Sequence, residues 1–277
     1  MVRSRLRALV VAAAAVLAFL GTAAPATAAP PGFAPAAQAT ITPGVQMLSP
    51  VGDGTTSSCT AAFVFRGGGS TYLGYAAHCA SSGESMGLSG CEERALPLGT
   101  EVVIEGTDGS RTSGRLAYTS WGTMQQRGES DEDRCFLNDF ALVELDPDDL
   151  ARVNPSVPVL GGPTALDTDG TVPGEPVYSY QPQNGGTAVK QGRSLGVTGG
   201  GLGHRVDTAP PGRPGDSGSG YLDADGDAFG VLSTLFLDGS RTNGVADLAQ
   251  ALAYANAYGG IGRVMLVPGT EPFTQRA

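Results

Sequence analysis

From Cys59 onward the chain reads as short apolar runs of strand length cut by turn signals. The first series is CTAAFVFR (59–66), TYLGYAA (71–77), TEVVIEG (100–106), GRLAYTS (114–120) and DFALVEL (139–145). Gly67-Gly68-Gly69, Asp108-Gly109 and a charged loop from Arg127 to Arg134 separate its members. A stretch rich in proline, glycine and aspartate follows, from Asp146 to Pro176. The second series then runs EPVYSY (175–180), AVKQGRSLGVT (188–198), GYLDA (220–224) and AFGVLSTLFL (228–237). Helical periodicity is convincing only in ADLAQALAYANA (246–257), where Leu248, Leu252 and Ala255 share a face and Gly259-Gly260 ends the run. No internal repeat is visible. The pattern predicts an all-β chain divided as residues 29–45, an N-terminal segment or short propeptide; 46–150, a first β block; 151–174, a connector; 175–262, a second β block with its helix; and 263–277, a tail.

The first 28 residues follow a different rule. Arg3, Arg5 and Arg7 precede an apolar run from Ala8 to Gly21 and a small-residue stretch ending Ala26-Thr27-Ala28. That layout predicts a secretory signal peptide over 1–28 and an extracellular protein. The run is short for a membrane span. Formal charge is −10, and removing the leader takes away three arginines and no acid. An acidic exported chain repels phosphate backbones and anionic lipid, which argues against nucleic-acid and membrane partners. Four cysteines, Cys59, Cys79, Cys91 and Cys135, read as disulfides with three possible pairings. With no C-x-x-C pair and two histidines, structural zinc is not expected. Neither is any other metal or cofactor.

The candidate chemistry lies in PGRPGDSGSGYL (210–221), whose Gly-Asp-Ser-Gly turn can present Ser217 as a nucleophile. A serine hydroxyl needs a base, and both histidines, His78 and His204, precede it. That order excludes the α/β-hydrolase arrangement, in which the histidine follows the serine. Esterases with a G-D-S-L turn fail for the same reason. The subtilisin order would need Asp53 as its acid, and His-Asp-Ser remains. In GYAAHC (74–79) a histidine ends an apolar strand beside a cysteine, and in NDFALVEL an aspartate, Asp139, opens a strand.

Together CTAAFVF…YLGYAAHC, NDFALVEL and PGDSGSG resemble the trypsin-like serine peptidases, from about Cys59 to Ala257. The resemblance implies two six-stranded antiparallel β-barrels with the site between them. His78 and Asp139 would belong to the first barrel and Ser217 to the second. It implies a Cys59–Cys79 disulfide, which leaves Cys91 for Cys135. It implies a triad of His78, Asp139 and Ser217, with Gly215 turning the backbone so that its N–H and that of Ser217 form an oxyanion hole. Ser233 would support the acid. Pro211, Gly212, Ser233, Leu235 and Gly244 would line the pocket for the residue before the scissile bond. No aspartate lies there and Leu235 narrows the entrance, so the expected preference is a small or medium apolar residue. The implied partner is a polypeptide substrate, acted on by a monomer.

The departures are equally specific. Ser219 stands where the family often has glycine, the pocket disulfide is missing, and no Ile/Val-Val-Gly-Gly start is present. The partner of Asp216 would then be an Ile41 amino group or an internal arginine, Arg213 or Arg205. DADGDAFG (223–230) lacks the glycine and distal glutamate of a calcium loop and reads as a hairpin turn. ESDEDR (129–134) reads as a solvated loop, and His204 as a structural residue without an evident partner. Two other functions fit the same residues: a silent trypsin-like binding module, or a serine esterase.

Overall fold

A computed structural model describes residues 32–52, 54–82 and 89–275. The signal peptide expected over 1–28 and Asp53 lie outside the described residues. Seven strands precede the connector: β1 (Gln46–Gly52), β2 (Thr55–Thr60), β3 (Val64–Gly67), β4 (Ser70–Tyr75), β5 (Glu101–Glu105), β6 (Arg111–Thr119) and β7 (Ala141–Glu144). Six follow it: β8 (Pro176–Tyr180), β9 (Val189–Thr198), β10 (Gly203–Ala209), β11 (Gly220–Leu222), β12 (Ala228–Leu235) and β13 (Asn243–Asp247). A last strand, β14 (Val264–Leu266), comes from the tail.

The second set closes into a six-stranded barrel in the order β10-β13-β12-β11-β8-β9. Closure leaves no unpaired edge. The first set forms an eight-stranded sheet, β14-β3-β4-β7-β6-β5-β1-β2, lengthened by the tail strand. Its core follows the strand alternation. In β5 the side chains of Val102 and Ile104 are buried while Glu101 faces water, and in β6 Leu116 and Tyr118 point inward. Phe63, Phe65, Leu73, Tyr75 and Phe140 complete that core; Val177, Val206, Tyr221, Phe229, Leu232 and Val245 fill the second.

Among the described residues three α-helices flank the strands. The expected C-terminal one is present as α3 (Leu248–Tyr258), with Asp247 as its cap. Two others correct the sequence reading. The run expected to end as strand at Ser120 turns there into α1 (Ser120–Arg127), which buries Trp121 and Met124 and is stopped by left-handed Gly128. The acidic stretch expected as a solvated loop contains the start of α2 (Glu132–Leu137). Asp131 caps it through the Arg134 N–H, and Glu132 and Asp133 sit in its positively polarised first turn. The acids that look like loop residues are helix-start residues. Strand β10 was also hidden, because its inward positions His204 and Thr208 are polar and its approach is glycine-rich.

DADGDAFG forms the β11–β12 turn, where the Asp223 carboxylate accepts the N–H groups of Asp225 and Asp227. The tail packs on both units. Val267 N–H donates to Val64 O at 2.9 Å, and the Phe273 ring lies 5.6 Å from that of Tyr178. Among the described residues no helix is long and apolar enough to cross a membrane.

Candidate active site

Strand β4 ends at Tyr75, and a single 3-10 turn, Ala77–Ala80, then carries His78. Asp139 lies two residues before β7 and is almost wholly buried. The two meet twice: His78 Nδ1 bonds Asp139 Oδ2 at 2.7 Å, and the His78 backbone N–H donates to Oδ1 at 2.8 Å. Ser233 Oγ, from β12 of the closed barrel, donates to the same Oδ2 at 2.6 Å. Burial alone would pull the imidazole pKa down, but the charge and hydrogen bond of Asp139 outweigh it and hold His78 above its ordinary value. Burial would likewise push Asp139 up. The His78 charge and the bonds from His78 and Ser233 overcome that, and the carboxyl sits below its ordinary value. The His78 side chain keeps 23% exposure, and the ring of Trp121 lies 6.4 Å away.

The Ser217 turn is carried to this pair by contacts between the two units. Thr60 N–H donates to Ser217 O at 2.8 Å, and Thr60 Oγ1 donates to Gly215 O at 2.8 Å. Gly218, at φ 93°, presses against Thr60 O and against Ala76 N, where a Cβ would come within 3.1 Å. Ala76 begins the turn that bears His78. Cys59–Cys79 is a disulfide, so the residue before Thr60 is tied to the residue after His78. Cys91–Cys135 is the second, linking the loop after the histidine to α2 just before the acid. Both pairings match the expectation.

The backbone of the turn is informative residue by residue. Gly212 N–H bonds Asn243 Oδ1, Arg213 N–H bonds Asp216 Oδ2, Asp216 N–H bonds Arg213 O, Gly218 N–H bonds Leu232 O, and Ser219 N–H bonds Asp216 O. Among the described residues the N–H groups of Gly215 and Ser217 have no acceptor. Those are the two expected to form the anion hole, with Gly215 at φ 97°. The Ser217 hydroxyl has no hydrogen-bond partner among the described residues.

The remaining expected residues gather beside the turn. Asn243 Nδ2 donates to Gly212 O and Thr234 O, which ties the segment of Pro211 and Gly212 to the strand position between Ser233 and Leu235, from the residue before Gly244. Space there is limited: a Cβ on Gly212 would lie 2.7 Å from Leu232 Cδ2, and one on Gly244 would lie 3.0 Å from Thr234 Cγ2. Asn243 and Leu232 were not singled out in the sequence, because they read as ordinary strand residues.

Two expectations need correcting. His204 has partners: Nδ1 meets Thr171 Oγ1 at 2.9 Å and Nε2 meets Asp247 Oδ2 at 2.9 Å. Neither expected arginine pairs its side chain with Asp216, and in the uncleaved chain Ile41 offers no amino group to it. Ile41 is buried with its N–H on Arg152 O, Arg205 bonds Asp238, Ser240 and Thr242, and the Arg213 guanidinium reaches Asn184 O. Arg213 meets Asp216 only through its backbone.

No protein-family model and no curated protein matches the sequence. Among solved structures, protease A of Thermobifida fusca superposes on 83% of this chain and 100% of its own at 20% identity, with a TM-score of 0.51. The chain has the chymotrypsin fold. A glutamic-acid-specific serine protease that uses a histidine triad in substrate binding matches 82% of this chain and 100% of its own, at 20% identity and a TM-score of 0.49. Where the two units of this fold meet, His78 and Asp139 belong to the first unit. The Ser217 turn and Ser233 belong to the second and contact the first through Thr60 and Asp139.

Proposed function

We propose that the chain is a secreted serine endopeptidase that works as a monomer through a His78–Asp139–Ser217 triad. The observation that carries this reading is the pair of N–H groups, on Gly215 and Ser217, left without acceptors beside a half-open histidine whose Nδ1 is committed to a buried aspartate. Ser217 Oγ attacks the substrate carbonyl while His78 Nε2 takes its proton. Asp139 accepts from Nδ1–H, fixing the tautomer and stabilising the imidazolium. The developing oxyanion receives the two N–H groups. Preorganised donors of this kind are worth roughly 3–4 kcal/mol each to the transition state. His78 then protonates the leaving amine, and water releases the acyl-enzyme by the reverse path.

The contact between Leu232 and Gly212, together with the bulk of Leu235, supports a small or medium apolar residue before the scissile bond. A peptide library cleaved mainly after lysine or arginine would overturn that preference. One observation favours a second reading, a silent binding module: the Ser217 hydroxyl is not bonded to His78. A fluorophosphonate probe decides between them. Label on Ser217 that is lost in His78→Ala supports the peptidase. No label on the folded, disulfide-intact protein supports the binding module. Turnover of esters but not peptides would instead indicate an esterase.

A further inference from the structure

The Ser217 turn carries a buried charge whose compensation is incomplete. Asp216 is fully buried, its Oδ2 accepts the Arg213 N–H at 3.0 Å, and its Oδ1 has no partner among the described residues. Burying a carboxylate costs several kcal/mol unless a counter-charge or further hydrogen bonds offset it. Among the described residues one cation is buried in the same barrel. Lys190 of β9 is 1% exposed, and among the described residues its ammonium donates only to Thr187 O, at 2.8 Å. An ammonium has three donors, so two are uncommitted.

The surroundings of Lys190 hold acceptors in want of donors. Lys190 faces Ser179 across the β8–β9 pair, and Ser179 faces Tyr221 across β8–β11. Gln181 bonds both Ser179 Oγ and Tyr221 OH through Nε2, while its own Oε1 is buried without a partner. That oxygen lies 3.0 Å from where a Cβ on Gly212 would stand, four residues before Asp216. Two unpartnered acceptors and one under-used ammonium thus occupy the same end of the barrel. The charges also sense each other: burial lowers the Lys190 pKa, the Asp216 charge opposes that fall, and the Arg213 charge adds to it.

We propose that Lys190 is the internal counter-ion of Asp216, its ammonium turning from Thr187 O onto Asp216 Oδ1 and so holding the Gly215–Ser217 backbone in its oxyanion-binding shape. The proposal rests on the peptidase reading of the site and makes Lys190 a positioning residue. It also removes the need for a new N-terminal amino group at Asp216. The sequence hid this residue because a lysine in a strand reads as an outward position.

The test uses the full secreted chain with Lys190→Met and Lys190→Arg, each checked for melting temperature and intact disulfides. Lys190→Met is expected to lower kcat about 100-fold, with KM within about twofold. Affinity for a peptide aldehyde, whose tetrahedral adduct uses the same N–H pair, should fall in parallel, and Lys190→Arg should restore most of the loss. Combined with Asp216→Asn, Lys190→Met should add nothing further, because both remove one interaction. A folded Lys190→Met with unchanged kcat and aldehyde affinity would overturn the proposal, as would full additivity with Asp216→Asn. A readout independent of turnover is the 15N resonance of the Lys190 ammonium, which should shift in Asp216→Asn. Coupling without any turnover in the parent chain would overturn the peptidase reading and keep the ion pair. Turnover without coupling would overturn the ion pair alone.

Discussion

The chain builds a histidine–aspartate pair twice, once in each β unit, and the two differ in what is left free. In both, one aspartate oxygen takes the imidazole and the other takes a backbone N–H: His78 itself for Asp139, and Gln250 at the start of α3 for Asp247. His78 commits Nδ1 and keeps 23% of its side chain exposed, with no hydrogen bond to Nε2 among the described residues. His204 commits both nitrogens, has 0% side-chain exposure, and lies edge-on to Phe229 with ring centroids 4.9 Å apart. The same two residue types leave one imidazole with a nitrogen to spare, as the proposed general base requires, and make the other a packed polar strut. A base needs one nitrogen unspent and an approach to it.

The widest separation between the two pairs should come from removing each histidine. His78→Ala is expected to lower turnover by about 10⁴-fold or more, while the melting temperature moves little. His204→Leu should do the reverse. It leaves Thr171 and Asp247 without their partner inside the barrel, at a cost of about 2–4 kcal/mol, and the molecules that remain folded should keep their turnover. Equal losses of activity in both variants, at temperatures where both are folded, would break the distinction.

A smaller effect should follow from Ser233→Ala. Asp139 Oδ2 receives both His78 and Ser233, whereas Asp247 Oδ2 receives only its histidine. Losing the Ser233 bond removes a hydrogen bond to a charged group, so kcat should fall about tenfold with KM nearly unchanged. Stopped-time assays on a peptide ester and the matching amide would read it. An unchanged kcat would mean that Ser233 is packing rather than support.

The contrast between His78, Asp139 and His204 also explains what the sequence could show. His78, Asp139 and Ser217 stand out as candidates because each sits in a local setting that constrains it: a strand end beside a cysteine, a strand start, a glycine turn. The His204 partners do not, because Asp247 is one of 27 acidic residues and lies 43 positions away. Nothing local marks such a pairing. Helix α1 was masked by Gly122 and by its direct continuation from β6 at Thr119. Lys190 was unreadable for a related reason, since only the closed barrel makes its position an inward one.

The pH dependence should separate activity from stability. An imidazole acts as a base only when neutral, and Asp139 raises the His78 pKa above 6.5 against the pull of burial. Turnover should therefore rise with pH along a limb centred above 6.5. The stability from this pair has the opposite sense for the histidine: it is fully present below the unfolded value and is lost as pH rises through the folded one. For Asp139, whose folded value is lowered, the contribution is present above 3.8 and is lost as pH falls through the folded value. Rate and urea-midpoint profiles of one preparation would test both signs. A rate limb centred below 6.5 would contradict the Asp139 effect.

The finest test lies in the buried pair. Thr171 Oγ1 meets His204 Nδ1 at 2.9 Å and also contacts Ser194 Oγ at 2.6 Å, forming a short chain that ends the imidazole's hydrogen bonding. Thr171→Val keeps the shape and removes the hydroxyl, leaving Nδ1 and Ser194 Oγ each one partner short. The cost should be about 1 kcal/mol, seen as a lower urea midpoint at constant m. Turnover should not change, because this chain of bonds runs inside the second barrel and meets neither Asp139 nor Ser217. If turnover falls while the midpoint holds, the buried pair is coupled to the open one, and the second histidine is more than a strut.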